Sequence, residues 1–164
     1  MFNSRAKGRR AEREVGKLLQ QWWQQVEPGC QFCSTPSSGG WATPELRGHF
    51  KVSGDLTTTA QRFPWTVEVK FREGWSLENL ERAKPSPVWG WWEQALEQAH
   101  EQRAWPMLWL RHSREPWRIM VAVDDPLQAC KLLSEVSWLR LQYGPHRVQL
   151  GLADEVLRVL PSGW

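Results

Sequence analysis

From Arg9 to about Gln25 apolar residues recur close to every 3.6 positions. Ala11, Val15, Leu18, Leu19, Trp22 and Val26 fall on one stripe, Asn3 or Ser4 lies upstream as a cap, and Pro28-Gly29 supplies the stop. A helix is predicted there. Residues 28–54 lose that period and fill with turn formers, as a binding loop does, with a short strand around Gln31–Ser34. The period then changes to two. Trp65, Val67, Val69 and Phe71 face one way and Thr66, Glu68 and Lys70 the other, which predicts a strand over Trp65–Phe71. Asp55–Ala60 reads as a second strand, and the short Gln61–Pro64 connection predicts that the two form a hairpin. Trp89–Arg103 returns to helical spacing, with Trp92, Ala95, Leu96 and Ala99 on its apolar face. Met107–Leu110 and Trp117–Val123 read as strands joined through His112–Pro116. Asp124-Asp125-Pro126 opens a further helix of about ten residues, with Asp at its cap and Pro at its first position. A last strand near Arg147–Leu150 and a helix near Ala153–Leu160 complete the pattern. The order predicts one α/β domain over residues 1–164, a central mixed sheet flanked by helices.

The 164 residues suit a single domain, which at this size buries roughly 70% of its unfolded surface. The formal net charge of +3 is unevenly placed. Residues 1–14 hold five Lys/Arg against Glu12 and Glu14, and the remaining chain is balanced, so the whole excess sits in a basic arm that runs into helix one. A local attraction for polyanions on a neutral body follows. No apolar run is long enough to span a membrane, and no apolar stretch follows the basic start as in a signal peptide. Three cysteines do not make a disulfide scaffold, and a reducing cytoplasm is expected. Residues 124–164 form a C-terminal extension whose role the pattern leaves open: capping the sheet, building a dimer or contacting a partner.

Candidate chemistry centres on Gly54-Asp55 and, twelve residues after Gly54, Thr66-Val67-Glu68-Val69-Lys70. Glu68 and Lys70, two apart on a strand, share a face, and Asp55 can bring a second carboxylate across the connection. Two hard oxygen donors, waters and a substrate phosphate suit Mg²⁺, with Mn²⁺ as its substitute. Such an ion polarises a phosphoryl oxygen and lowers the pKa of an attacking water, and Lys70 can orient that water, help deprotonate it or offset charge. A solvated Glu–Lys pair on a strand face is the competing reading. Glu12 borders the apolar stripe of helix one and can join Asp55 and Glu68, while Lys7, Arg9, Arg10 and Arg13 stand beside it near free helix N–H groups. Ordinary solvated positions are the alternative, for Glu14 more than for Glu12.

Together, Lys7-Gly8-Arg9-Arg10-Ala11-Glu12-Arg13-Glu14-Val15, Gly54-Asp55 and Glu68-Val69-Lys70 resemble the archaeal-type Holliday junction resolvases and their phage relatives. These are restriction-endonuclease-like nucleases of the D-(D/E)xK superfamily. Glu68 to Trp75 and Trp91-Trp92-Glu93-Gln94-Ala95 are similar to the phage branch in particular. The resemblance implies a restriction-endonuclease-like fold and a homodimer that cleaves branched DNA with Mg²⁺ or Mn²⁺. It implies an active site of Glu12, Arg13, Asp55, Glu68 and Lys70, with Asp55, Glu68 and Glu12 toward the metal. The family also carries a loop serine, matched here by Ser38 or Ser37. The chain departs from the compact archaeal pattern in a longer stretch, Ser37 through Ser53, before the aspartate. Some nucleases of this fold place a helix glutamine near the metal, which makes Gln94 an accessory candidate; Gln98 shares its face.

DNA contacts are expected from Arg5, Lys7, Arg9, Arg10, Ser38 and Arg72, and from Trp41 and Trp75 as base-stacking residues. Of the 13 tryptophans, Trp22, Trp65, Trp92, Trp109 and Trp117 lie on apolar stripes and are expected in the core or a dimer interface, whereas Trp89 and Trp91 sit beside polar loops. Cys30 and Cys33 have the spacing of half a zinc site without a matching second half, so zinc is not expected. No phosphate-binding Gly-rich motif appears, which leaves nucleotide cofactors unsupported. Branched-DNA endonuclease is the first reading. A nicking, flap or repair nuclease of the same fold and a non-catalytic DNA-binding module compete with it.

Overall fold

The protein is described from a computed structural model that covers residues 4–35, 50–129 and 135–159. Helix α1 (Ser4–Trp23) is followed by three short strands, β1 (Phe32–Ser34), β2 (Lys51–Ser53) and β3 (Leu56–Thr58). Strand β4 (Trp65–Phe71), helices α2 (Leu77–Glu81) and α3 (Pro87–Gln102), and strands β5 (Trp105–Arg111) and β6 (Arg118–Ala122) come next. A 3-10 turn (Pro126–Ala129), β7 (Leu139–Tyr143), β8 (His146–Leu152) and α4 (Ala153–Val156) close the order.

The strands form two sheets, β1-β3-β2 and β4-β5-β6-β8-β7. In the larger one β4 and β5 run parallel, joined by the crossover through α2 and α3, and every other neighbour is antiparallel. Side chains alternate between its faces. Val67, Met107, Trp109, Ile119 and Val121 pack toward α1 and α4, whereas Leu108, Leu110, Met120, Val148 and Leu150 pack with α2 and α3. The expected α/β class with a helix-flanked mixed sheet is what the chain forms.

The α1 side is dominated by aromatics. Trp23, Phe63 and Trp65 meet edge-on, with centroids 5.2–5.8 Å apart, and Trp22 and Phe32 extend the cluster. Burying each such side chain contributes about 1.5–3 kcal/mol, provided the indole N–H groups find acceptors. They do: Trp22 donates to the Val159 carbonyl at 2.8 Å, Trp23 to Glu27 at 2.8 Å, and Trp65 to Asp125.

Several expectations need correction. Helix α1 begins at Ser4, not Arg9, so Arg5, Lys7, Arg9 and Arg10 lie within it; from Gly8 onward the backbone N–H groups are used inside the helix and are not free for phosphate. Strands β3 and β4 do not form a hairpin. β3 is the middle strand of the small sheet, with β1 and β2 on its two edges, so no edge remains for β4, which pairs with β5 instead. The Asp124-Asp125-Pro126 start leads into a 3-10 turn over the described residues 126–129, not a run of α-helix. Within residues 124–164, whose role the pattern left open, β7 and β8 supply two of the five strands of the larger sheet. Helix α3 also starts earlier than expected. Ser86 caps it by accepting from the Val88 N–H at 3.4 Å, with Pro87 in the first turn, and it ends at Arg103 in the left-handed conformation (φ +51).

Candidate active site

The site is built on the open side of β4. As β4 ends its sheet, the N–H and C=O groups on its outer edge lack a strand partner. Asp55 takes two of them: its N–H donates to the Val67 carbonyl at 2.8 Å, and its Oδ2 accepts from the Val69 N–H at 2.8 Å. So close an approach requires glycine at position 54. Its φ is +73, and a Cβ would lie 2.3 Å from the Val67 carbonyl oxygen. Gly54-Asp55 is thus one device, a turn that docks a carboxylate on a strand edge.

The alternation expected in β4 puts Thr66, Glu68 and Lys70 on the face toward α3. Glu68 is 1% exposed. Its Oε1 pairs with Lys70 Nζ, and its Oε2 has no hydrogen-bond partner. The Lys70 ammonium also donates to Gln94 Oε1 on α3 at 3.1 Å, so helix and strand together fix where it points. From the other face, Glu12 on α1 accepts a short hydrogen bond from the Ser34 hydroxyl. Ser34 ends β1 opposite Leu56, and the Thr35 N–H donates to the Asp55 carbonyl at 2.8 Å, so Ser34 draws Glu12 toward Asp55.

The electrostatics record this crowding. Burial, then repulsion from Glu68 and Glu12, raises the Asp55 carboxyl to about 7, while the Val69 N–H and the Lys70 ammonium pull the other way. Among the described residues no three His, Cys, Asp or Glu side chains close into a ready set of metal ligands, and Glu12 is turned to Ser34. The donors still fit a small hard cation. Asp55 and Glu68 offer two carboxylates, one with a buried oxygen that nothing satisfies, and Mg²⁺ keeps several waters and needs only one or two protein carboxylates beside a phosphate.

The basic residues divide. Arg9 and Arg13 line a shallow groove of about 310 Å³ with Ala6 and Ser34, next to Glu12, and Arg13 Nε donates to the Arg9 carbonyl at 3.3 Å. Arg5, Arg10 and Arg72 are exposed. Lys7 instead lies 3.9 Å over the Phe71 ring and 3.7 Å from Glu73, which is committed in turn to Ser113. Trp75 does not offer a stacking face. It is 8% exposed, its N–H donates to the Arg72 carbonyl at 3.1 Å, and its ring meets His112 edge-on, so it anchors the loop after β4. Ser37, Ser38 and Trp41 lie outside the described residues. Cys30 is buried and Cys33 exposed.

Ser34 was not singled out by sequence reasoning, which looked for the serine three or four positions later; the pairing of β1 with β3 is what brings it to Asp55. Glu14 is another surprise. Arg111 grips it with both terminal nitrogens, at 2.8 and 3.0 Å, and Trp117 donates to it at 2.9 Å, so this half-exposed acid is a tertiary clamp. Its partners lie about a hundred residues away, where no local spacing signals them.

The strand edge thus brings Asp55, Glu68 and Lys70, the residues of the D-(D/E)xK pattern, to one end of β4. The chain belongs to the family described as "Phage putative PDDEXK endonuclease", whose model matches residues 3–147. The matched range includes Glu68–Trp75 and Trp91–Ala95. No curated protein matches in sequence. Among solved structures, Hjc of Archaeoglobus fulgidus, a Holliday junction resolvase from an archaeal hyperthermophile, is similar at 17% identity over 92% of this chain and 93% of that one, with a TM-score of 0.34. No helix among the described residues is long and apolar enough to cross a membrane.

Proposed function

We propose that this PDDEXK endonuclease hydrolyses phosphodiesters in branched DNA with a divalent cation, most specifically as a Holliday junction resolvase acting as a homodimer. The observation that carries the catalytic part is the edge-strand centre: Asp55 docked on β4 by Gly54, beside a buried Glu68 with an unsatisfied oxygen and a Lys70 aimed by Gln94. Asp55 and Glu68 would hold the cation. When bound, Mg²⁺ or Mn²⁺ supplies polarisation of the scissile phosphoryl oxygen and a water of lowered pKa. Lys70 positions the attacking water and offsets charge as the phosphorane-like transition state forms. Arg13 and Arg9, in the groove beside Ser34, hold the phosphate, and Glu12 acts from the same side through the Ser34 hydroxyl. Two such sites about a dyad account for paired nicks on opposing strands.

The preference for a branched substrate rests on the motif resemblance, and a nicking, flap or repair specificity is the second reading on the same chemistry. Cleavage of end-labelled four-way junctions, flaps and linear duplexes, with and without Mg²⁺, tests it. Symmetric paired nicks in the junction alone are expected. Equal cutting of all three, or of the flap only, assigns the second reading, and binding without cutting assigns a DNA-binding module.

A further inference from the structure

The seam between β4 and α3 carries polar contacts at both ends and an unpaired set in the middle. At one end Lys70 Nζ donates to Gln94 Oε1 at 3.1 Å. At the other the Thr66 hydroxyl donates to Gln102 Oε1 at 3.3 Å. Four strand residues span about 13 Å and eight helix residues about 12 Å, so the two elements run level between these contacts. Midway along each stand Glu68 and Gln98. Residues 94, 98 and 102 recur on one helix face, as 66, 68 and 70 do on one strand face. Glu68 Oε2 and Gln98 Oε1 are both buried and both without a partner. Two buried acceptors without partners, bracketed by the same two contacts, are costly to leave unsatisfied. Turning the Gln98 amide about its last bond replaces one of them by an N–H donor.

We infer that Gln98 is the positioning residue for Glu68, donating its amide N–H to Glu68 Oε2. The inference rests on the nuclease reading and extends it. Lys70 fixes one oxygen of Glu68, and Gln98 fixes the other while leaving it a lone pair, since a carboxylate oxygen accepts from two directions. A carboxylate held at both oxygens presents that lone pair to a cation without first paying rotamer entropy. The glutamine is neutral, so it orients Glu68 without competing for the charge. Gln94, Gln98 and Gln102 then form one ladder in which the first aims the lysine, the second aims the carboxylate and the third ties the strand to the helix.

The test is the Gln98→Met variant, which keeps side-chain length and removes the donor, compared with Gln102→Met on the same face. Mn²⁺ alone is titrated calorimetrically into each protein, and kcat and KM are measured on junction DNA. Ligand-orienting hydrogen bonds are worth roughly 10–100-fold in metal affinity or activity. Gln98→Met is expected to weaken Mn²⁺ binding and lower kcat by that factor with KM for DNA within about twofold, whereas Gln102→Met leaves Mn²⁺ affinity unchanged. Gln98→Asn, which withdraws the same amide by one methylene, is the second variant should the first not fold, and it is expected to lose several-fold in Mn²⁺ affinity. Unchanged Mn²⁺ affinity and kcat in a folded position-98 variant, or an equal loss at position 102, overturns the inference. A wild-type protein that neither binds Mn²⁺ nor cuts any DNA overturns the nuclease reading itself and this inference with it.

Discussion

Two aspartates, the partly buried Asp55 and the fully buried Asp125, have carboxyls raised to about 7, both chiefly by desolvation, yet their surroundings are opposite. Asp125 sits under the aromatic cluster with N–H donors around it. Trp65 Nε1 lies 3.1 and 2.9 Å from its two oxygens, and the Leu127 N–H donates at 2.8 Å. Its one repulsive neighbour is Asp124. Asp55 receives the Val69 N–H and is pressed by Glu68 and Glu12, with the Lys70 ammonium offsetting part of that repulsion. The first environment finishes its own hydrogen bonding and is structural. The second gathers negative charge that the fold leaves incompletely compensated, which supports the cation-holding role proposed for it. Burial and a raised pKa are common to both; the sign of what surrounds the carboxyl separates structure from chemistry.

The largest effect expected from this contrast is on cleavage. Losing a cation-holding carboxylate forfeits several kcal/mol of transition-state stabilisation, so Asp55→Ala should lower kcat on DNA by about 10³-fold or more. Asp125→Ala should leave kcat on the same substrate unchanged at temperatures where it stays folded. Its effect belongs to stability. Stripping the acceptor from the Trp65 indole and the Leu127 N–H should cost about 1–3 kcal/mol, read as a fall of several degrees in melting temperature. A cleavage defect in Asp125→Ala that exceeds its unfolding would break the comparison.

Acidity sharpens it further. In the unfolded chain both aspartates titrate near 3.9, and in the folded protein near 7. Between these values the unfolded state ionises first and binds fewer protons, so their contribution to stability is complete below about pH 4 and is lost as the pH rises through 7. Metal-free protein should therefore melt at a higher temperature at pH 5 than at pH 7.5 relative to Asp55→Asn, in which one of the two groups no longer titrates. Added Mg²⁺ at pH 7.5 should raise the melting temperature of the wild type and of Asp125→Asn, but not of Asp55→Asn. The smallest change concerns Gln94. Removing its carbonyl leaves Lys70 paired with Glu68 but less well aimed, and Gln94→Ala should lower kcat only several-fold, roughly the worth of one hydrogen bond.

What could be read along the chain was whatever obeys a short period or a short spacing. Alternation in Trp65–Phe71 correctly put Glu68 and Lys70 on one face, and the helical stripe placed Ala11, Val15 and Leu19 in the core. Gly54-Asp55 stood out as a pair, though the reason for the glycine is visible only where its backbone meets Val67. The hairpin failed because local spacing cannot reveal that β3 already has two neighbours. Glu14 was weighed as a solvated acid because Arg111 and Trp117 are remote in sequence. Ser34 escaped for the same reason, its role being set by the register of β1 on β3. The chemistry-bearing residue types were local facts, and the contacts that aim them were tertiary ones.

The centre on β4 is tested most directly by single-turnover cleavage of a labelled four-way junction by wild type and Glu68→Ala, each with and without Mg²⁺. Glu68 brings a buried carboxylate to the site, so its loss should remove cleavage while the variant still binds the junction. The wild type should cut only when Mg²⁺ is present. Cleavage by Glu68→Ala at the wild-type rate, or by the wild type without any divalent ion, would contradict the account.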